Sequence, residues 1–144
     1  IPFILRPERR QLELWRDVLS TKYSPEWTKS FERRMIASGE PLGIKFDFGG
    51  YVGNSFESLR LIHWISKNYP EKQEPLIALL SKNHFENRLC VGSKENLTNA
   101  AASLGIDKDE IILFMDSDKY KNEVSELLLK TSQITSSIPL VTIV

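Results

Sequence analysis

Hydrophobic positions recur at helical spacing along most of this chain, and capping residues divide the pattern into separate helices. A first helix is predicted from Pro7 to about Ser20, and a second from Pro25 to Gly39 with Ser24 as its N-cap. Further helix starts are predicted at Asn54 with Glu57 as a capping box, Glu74-Pro75, Ser93, Asp107 with Glu110, and Ser117. The sequence therefore predicts about five helices between residues 49 and 133.

Three segments instead have the residue pattern of β-strands: residues 2–5, 43–48 and 140–144. Residues 43–48 alternate apolar and polar side chains, which predicts a strand at a sheet edge with one buried face and one solvent-exposed face. Residues 140–144 are apolar or β-branched at every position, which is typical of a strand in the middle of a sheet. Because so few strands accompany this central one, the predicted sheet is incomplete in this chain.

The helix predicted within residues 53–69 has apolar side chains around most of its circumference. A helix of this kind is covered on two sides, so we expect it to lie between a sheet and a further helical layer. The polar strip that remains is predicted to consist mainly of Glu57, Arg60, Lys67 and Asn68.

Two polar residues of this helix are candidate substrate contacts. His63 lies at the border of the apolar face, which favours a packed histidine with one of its ring nitrogens hydrogen-bonded. The alternative is that His63 acts as a proton shuttle. Asn54 is interpreted first as a helix cap and second as a substrate contact.

The charge balance and hydropathy exclude several classes of partner. The length of 144 residues suits one domain. The 19 Lys plus Arg residues balance the 19 Asp plus Glu residues, so the chain has no net charge that would attract nucleic acid or an anionic membrane. No apolar run approaches the ~20 residues that span a bilayer. We therefore expect neither a nucleic-acid nor a membrane partner.

Few side chains in this sequence could supply metal or thiol chemistry. Cys90 is the one cysteine, so no internal disulfide forms, and with only His63 and His84 beside it no zinc site is expected. We interpret Cys90 as a packed, small apolar residue rather than a nucleophile. The scarcity of cysteine favours a reducing, cytoplasmic location.

Several short strings, taken in their order and spacing, resemble a known family. They are Pro2-Phe3-Ile4-Leu5-Arg6-Pro7, Gly53-Asn54-Ser55, Arg60-Leu61-Ile62, His84-Phe85-Glu86 and Leu104-Gly105-Ile106-Asp107. The chain resembles the DsbA family of thioredoxin-fold proteins, specifically its FrnE-type branch, from Pro2 to Val144. The resemblance implies an α/β fold: a thioredoxin-like sheet, incomplete in this chain, with a large α-helical insertion that makes the chain predominantly helical.

The resemblance also implies a domain organisation and a function. Residues 1–144 are expected to form the middle of a single DsbA-like domain, with residues 49–133 as a mainly helical insertion. The function implied is that of a thiol-disulfide oxidoreductase whose redox Cys-x-x-Cys lies upstream of Ile1, so that this chain holds no catalytic residue. Its partners would be protein or small-molecule thiols and disulfides, with no metal or required cofactor.

The substrate-binding residues implied by the resemblance are Ile138 and Pro139. In the family a cis proline precedes a central strand, and the backbone of the residue before it pairs with the extended substrate. We therefore predict a cis Ile138-Pro139 bond. The family usually has glycines where this chain has Ser137 and Ile134, and a histidine where it has Leu59.

Two other functional interpretations stay open. The second interpretation is an enzyme of the kappa-class glutathione transferase or 2-hydroxychromene-2-carboxylate isomerase type. These enzymes share the fold, bind glutathione and have an upstream serine in place of the first cysteine. Residues 58–62 and 69–71 are compatible with this type. A non-catalytic helical interaction domain is the third interpretation. A Cys-x-x-Cys upstream of Ile1 would support the thiol-disulfide oxidoreductase, and a serine without a cysteine pair would support the glutathione-binding enzyme. The absence of both would support the non-catalytic domain.

Overall fold

A computed structural model describes residues 12–134, in which a series of helices accompanies a small two-stranded sheet. The strands are β1 (Glu13–Leu14) and β2 (Tyr51–Val52). The helices are α1 (Trp15–Lys22), α2 (Pro25–Gly39), α3 (Phe56–Asn68), α4 (Gln73–Glu86), α5 (Lys94–Ser103), α6 (Lys108–Asp116) and α7 (Lys121–Ile134). The predominantly helical fold class is confirmed, and the five helices α3 to α7 agree in number with the prediction.

Three helices begin at the capping residues that the sequence predicts. The Ser24 hydroxyl accepts a hydrogen bond from the Trp27 N–H at 3.1 Å and starts α2. Ser93 accepts in the same way at the start of α5, and the Asp107 carboxylate accepts from the Glu110 N–H at 3.0 Å at the start of α6. Each cap satisfies one of the backbone donors that a helix N-terminus leaves unpaired.

The predicted strand at residues 43–48 is wrong for the part of the chain that the structure describes. The Asp47 N–H donates to the Phe85 carbonyl at 2.7 Å, and the Lys45 N–H donates to the Glu86 carboxylate, so this backbone bonds to the end of α4. The strand pairing instead joins β1 and β2, antiparallel, in the register Glu13 to Val52. The alternation agrees with the burial of Phe48 and the exposure of Lys45, but Ile44, Phe46 and Asp47 are all half-buried and the predicted backbone pairing is absent from these residues.

Two predicted helix starts are also wrong. Glu13–Leu14 form β1, so the described part of the first helix begins at Trp15 rather than continuing from Pro7. The last helix begins at Lys121 and not after Ser117, because the Ser117 hydroxyl donates to the Phe114 carbonyl and closes α6. The strands predicted at residues 2–5 and 140–144 lie outside the described residues.

The main hydrophobic core lies among α3, α4, α5 and α6. Its buried members include Leu61, Trp64 and Ile65 from α3, of which Leu61 and Ile65 are completely inaccessible to solvent. The remaining members are Leu76, Leu80, Leu97, Ala100, Ala101, Ile106, Ile111, Phe114 and Met115. Burial of these side chains is the dominant stabilising term for this part of the fold.

A second grouping consists of seven rings that follow one another at contact distance, and we call it the aromatic run. Tyr23 and Trp27 stack at 4.1 Å between ring centroids, and Trp15 and Phe48 lie 4.5 Å apart. The complete series is Tyr23, Trp27, Phe31, Trp15, Phe48, Phe46 and Phe85. It joins α1 and α2 to the segment before β2 and to α4.

A pair of glycines lets the loop before β2 lie against the end of α4. A Cβ atom at Gly50 would lie 2.9 Å from the Arg88 Cα, which is too close for any other residue. Arg88 itself has a φ of 58°, and its guanidinium pairs with the Asp47 carboxylate at 2.8 Å. The side chain of Asp47 also accepts from the Gly49 N–H, so one carboxylate joins the loop both to its own backbone and to Arg88.

Candidate functional site

Arg60 lies in the interior of the helical array and is completely inaccessible to solvent. The prediction that it belongs to a polar surface strip is therefore wrong. Its guanidinium donates to the Glu57 carboxylate at 2.7 and 3.0 Å, one turn back on α3. This carboxylate was predicted to form a capping box with Asn54, and Asn54 instead accepts from the Phe56 N–H at 2.8 Å.

The same guanidinium binds four backbone carbonyls at the end of α6. Met115 and Phe114 accept from it at 2.9 and 3.3 Å, and Ser117 and Lys119 each accept at 3.1 Å. Carbonyls at the C-terminus of a helix lack intrahelical partners, and the helix dipole makes this end negative, so a cation is favoured here. The Phe114 carbonyl also accepts from the Ser117 N–H and hydroxyl. Arg60 thus fastens the turn at residues 117–120, which we call the α7 turn, to α3.

The α7 turn ends in a residue with an unusual backbone conformation. Tyr120 has a φ of 65°, which is uncommon for a residue other than glycine and is maintained only by its surroundings. Its ring contacts the His63 ring edge-on at 5.0 Å. The His63 Nε2 atom lies 3.0 Å from the Glu123 carboxylate, but the two groups are not aligned as a hydrogen bond.

These contacts place His63 on the wall of a groove between α3, α4 and α7. The His63 side chain is only 15% exposed, as the packed-histidine interpretation expects. The groove has a volume of ≈ 330 Å³, which is within the range of small-ligand sites. Its lining residues are Leu59, Ile62, His63, Ser66, Gln73, Ile77, Val124 and Leu127. The groove can accept an aliphatic or aromatic group, with His63, Ser66 and Gln73 as its polar members.

The structure does not bring the two described candidate residues together. Asn54 lies at the start of α3, whereas His63 is nine residues further on, about 13 Å along a helix axis. Asn54 contacts the loop that follows Cys90: a Cβ atom at Gly92 would lie 2.9 Å from the Asn54 carbonyl oxygen. Ile138 and Pro139, with the predicted cis bond, lie outside the described residues.

Cys90 is buried, as the sequence interpretation expects of a packed cysteine. Only 5% of the residue is exposed, and its Sγ accepts from the Gly92 N–H at 3.3 Å. A thiol in this environment is shielded from a disulfide substrate. Over residues 12–134 the structure contains no cluster of three or more metal-ligating side chains, and none of the helices there is long and apolar enough to cross a bilayer.

The second histidine, His84, is half-buried, and the sequence suggested no individual role for it. Burial lowers its pKa below the ordinary value of 6.5, and its Nδ1 atom has no hydrogen-bond partner. It lies beside a small cleft with Trp15 and Asp47 in its lining. His84 is therefore neutral in the folded protein at pH 7.

The burial of Arg60 and its bonds to the end of α6 were not predicted, because an arginine on an amphipathic helix is usually exposed. The signal that could have identified it is its position between apolar neighbours, Leu59 and Leu61, on a helix that is apolar around most of its circumference.

Neither a family model nor a curated protein matches the sequence. Four chains of solved structures match, and one is the crystal structure of a probable DsbA oxidoreductase from Streptomyces coelicolor. The two structures superpose with a TM-score of 0.83 at 22% sequence identity. The match covers 95% of this chain and 61% of the Streptomyces chain. The chain therefore has the fold of a DsbA-like thioredoxin domain with a helical insertion, of which it spans a part.

Proposed function

We propose that the protein containing this chain is a thiol-disulfide oxidoreductase of the FrnE-type branch of the DsbA family, acting on protein or small-molecule disulfides. The observation that carries the proposal is the fold, which this chain shares over nearly its whole length with a probable DsbA oxidoreductase. In this proposal the redox Cys-x-x-Cys lies upstream of Ile1, Pro139 faces it, and the backbone of Ile138 pairs with the extended substrate.

The reaction requires two thiols. A thiolate attacks one sulfur of the substrate disulfide, which forms a mixed disulfide and releases the other substrate sulfur as a thiolate. A second cysteine of the enzyme then attacks the mixed disulfide, so that the substrate leaves as a dithiol and the enzyme is oxidised. Cys90 is single and buried, so both thiols are assigned to the upstream pair.

In this proposal the residues of the helical insertion contact substrate and do no redox chemistry. The groove beside His63 offers apolar side chains from three helices, which suits an apolar side chain of a disulfide-bonded polypeptide. Small disulfides, which lack such side chains, would not use it.

The test is insulin reduction by the full-length protein with dithiothreitol as the electron source. We expect turnover that is abolished when the first upstream cysteine is replaced by serine and retained in Cys90→Ser. Pro139→Ala is expected to slow insulin reduction. Glutathione conjugation without disulfide exchange would instead establish a kappa-type enzyme, and the absence of both activities would establish a non-catalytic domain.

A further inference from the structure

We propose that the groove between α3, α4 and α7 binds one large, uncharged aliphatic side chain of a polypeptide together with the adjoining peptide group. Gln73 and Ile77 are the residues that determine this selectivity. The inference rests on the proposed function for the role of that polypeptide as a disulfide substrate. The binding itself stands on the side chains that line the groove, all of which lie within residues 12–134.

The first step is that the groove has a polar end. Ser66 lies in the last turn of α3, and Gln73 is the first residue of α4, so both lie near the connection at residues 69–72. One helical turn away from Ser66 and Gln73 lie Ile62 and Ile77, which also line the groove. A ligand that fills the groove therefore meets hydrogen-bonding groups at one end and hydrocarbon beyond them.

The second step is that this polar end has unused hydrogen-bonding capacity. Gln73 is half-buried, and its side-chain amide has no hydrogen-bond partner among residues 12–134. The Ser66 hydroxyl donates to the His63 carbonyl at 2.7 Å, which leaves its oxygen able to accept. The Gln73 amide presents donors and an acceptor together, and a peptide group needs both in a partner. The polar end therefore suits the backbone of a polypeptide.

The third step is that the groove disfavours a charged ligand. Its lining contains no acidic side chain, lysine or arginine. Beside it, the Glu123 carboxylate lies 3.0 Å from the His63 Nε2 atom and 3.8 Å from the Lys67 Nζ atom, so these charges already have partners. A charged side chain in the groove would lose its hydration without gaining a counter-ion. A fatty acid is disfavoured too, because its carboxylate would compete with Glu123 for His63 and Lys67.

The fourth step concerns the shape of the ligand. The apolar part of the groove is aliphatic, and its members come from all three helices: Leu59, Ile62, Ile77, Val124 and Leu127. The volume of ≈ 330 Å³ is near the lower end of the range for small-ligand sites, which suits one large side chain with its peptide group. Ile77 is 43% exposed, so a bound side chain would cover apolar surface that is now in contact with water.

The test measures the binding of short peptides to the full-length protein by NMR titration, separately from insulin reduction. Each peptide has serine and glycine around one central leucine, alanine or glutamate, and decanoate is the fatty-acid probe. Ile77→Lys places a charge in the groove, and Gln73→Met keeps the volume and loses the amide. The matched controls are Ile112→Lys and Gln133→Met, because both residues are exposed and neither lines the groove.

We expect the leucine peptide to bind about tenfold more tightly than the alanine peptide, because leucine buries more apolar surface. The glutamate peptide and decanoate should bind no more tightly than the alanine peptide. Ile77→Lys should lower the ratio of leucine to glutamate affinity about tenfold, which a mere loss of stability would not do. Gln73→Met should weaken the leucine peptide about fivefold. Both variants should raise the KM for insulin, and both controls should match the wild type throughout.

The inference is overturned if the leucine peptide binds no more tightly than the alanine peptide, as it would if another part of the full-length protein covers the groove. Tighter binding of decanoate than of the leucine peptide would also overturn it, as would wild-type affinities in folded Ile77→Lys and Gln73→Met. If Ile77→Lys does not fold, Gln73→Met decides the matter alone. Leucine-selective binding in a wild-type protein without disulfide exchange would refute the proposed function and leave the groove as a polypeptide site.

Discussion

Replacing Arg60 by methionine tests how much of the fold depends on one buried cation. Methionine fills a similar volume, but it removes the Arg60 donor from the Met115, Ser117 and Lys119 carbonyls and from the Glu57 carboxylate. The Phe114 carbonyl keeps the Ser117 N–H and hydroxyl as donors. Glu57 is 35% exposed and can be rehydrated, so the carbonyls account for most of the cost. Each buried carbonyl that loses its donor costs about 1–3 kcal/mol, and relaxation reduces the sum for three carbonyls, so we expect a loss of about 3–5 kcal/mol for Arg60→Met.

Urea denaturation followed by circular dichroism measures this change in the free energy of unfolding. In a protein of this size about 2–4 °C of melting temperature is lost per kcal/mol, so Arg60→Met should melt about 10 °C below the wild type. Arg16→Met is the control, because Arg16 is 55% exposed and surface ion pairs contribute about 1 kcal/mol or less.

A second variant separates the carbonyl bonds from the ion pair. Glu57→Gln keeps all four carbonyl bonds of Arg60, and these carbonyls with the negative end of α6 still compensate the buried charge, so it should destabilise the protein by about 1 kcal/mol, far less than Arg60→Met. Equal losses in Glu57→Gln and Arg60→Met would show that the ion pair dominates. A loss in Arg60→Met no larger than that in Arg16→Met would refute the reasoning altogether.

Three further predictions concern single groups. Asp47 accepts from the Gly49 N–H and pairs with Arg88, and both contacts lower its pKa. The ionised carboxylate therefore stabilises the protein above its ordinary pKa of 3.8, and this stabilisation is lost as the pH falls through the lower pKa of the folded state. The difference in free energy of unfolding between wild type and Asp47→Asn, measured by urea denaturation, should shrink below about pH 4. His84 has a pKa lowered by burial, so the unfolded state binds its proton first and the wild type should lose stability relative to His84→Gln between about pH 7 and 5, whereas parallel pH profiles would contradict this. Under the proposed function, Cys90→Ser should leave insulin reduction by the full-length protein unchanged, because Cys90 is buried; loss of turnover would show that Cys90 takes part in the reaction.

Local signals in the sequence predicted the helix boundaries best. Ser24, Ser93 and Asp107 each bond to a backbone N–H only three residues away, so the information that starts the helix lies within one turn of the chain. The position of Ser117 in the sequence resembles theirs, but its hydroxyl turns back to α6, and Arg60 holds the backbone carbonyl of the same residue. A contact between residues 57 positions apart has no local signature.

The alternation in residues 43–48 likewise predicted part of the burial and not the pairing. Phe48 is buried and Lys45 is exposed, as the period of two requires. The choice of backbone partner depends on where the end of α4 lies, and that is fixed by packing at a distance in sequence. The groove beside His63 could not be predicted for the same reason, since α3, α4 and α7 each contribute part of its wall.

The aromatic run gives this protein a pair of built-in optical reporters. Trp15 and Trp27 belong to the run, whereas Trp64 stacks on Phe114 in the main core at 4.6 Å. Fixed aromatic packing produces near-ultraviolet dichroism, which disappears when the packing is lost. In a protein with Trp15 and Trp27 replaced by phenylalanine, indole emission reports on the main core alone. Comparison with the wild type then distinguishes local opening of α1 and α2 from global unfolding without an attached label.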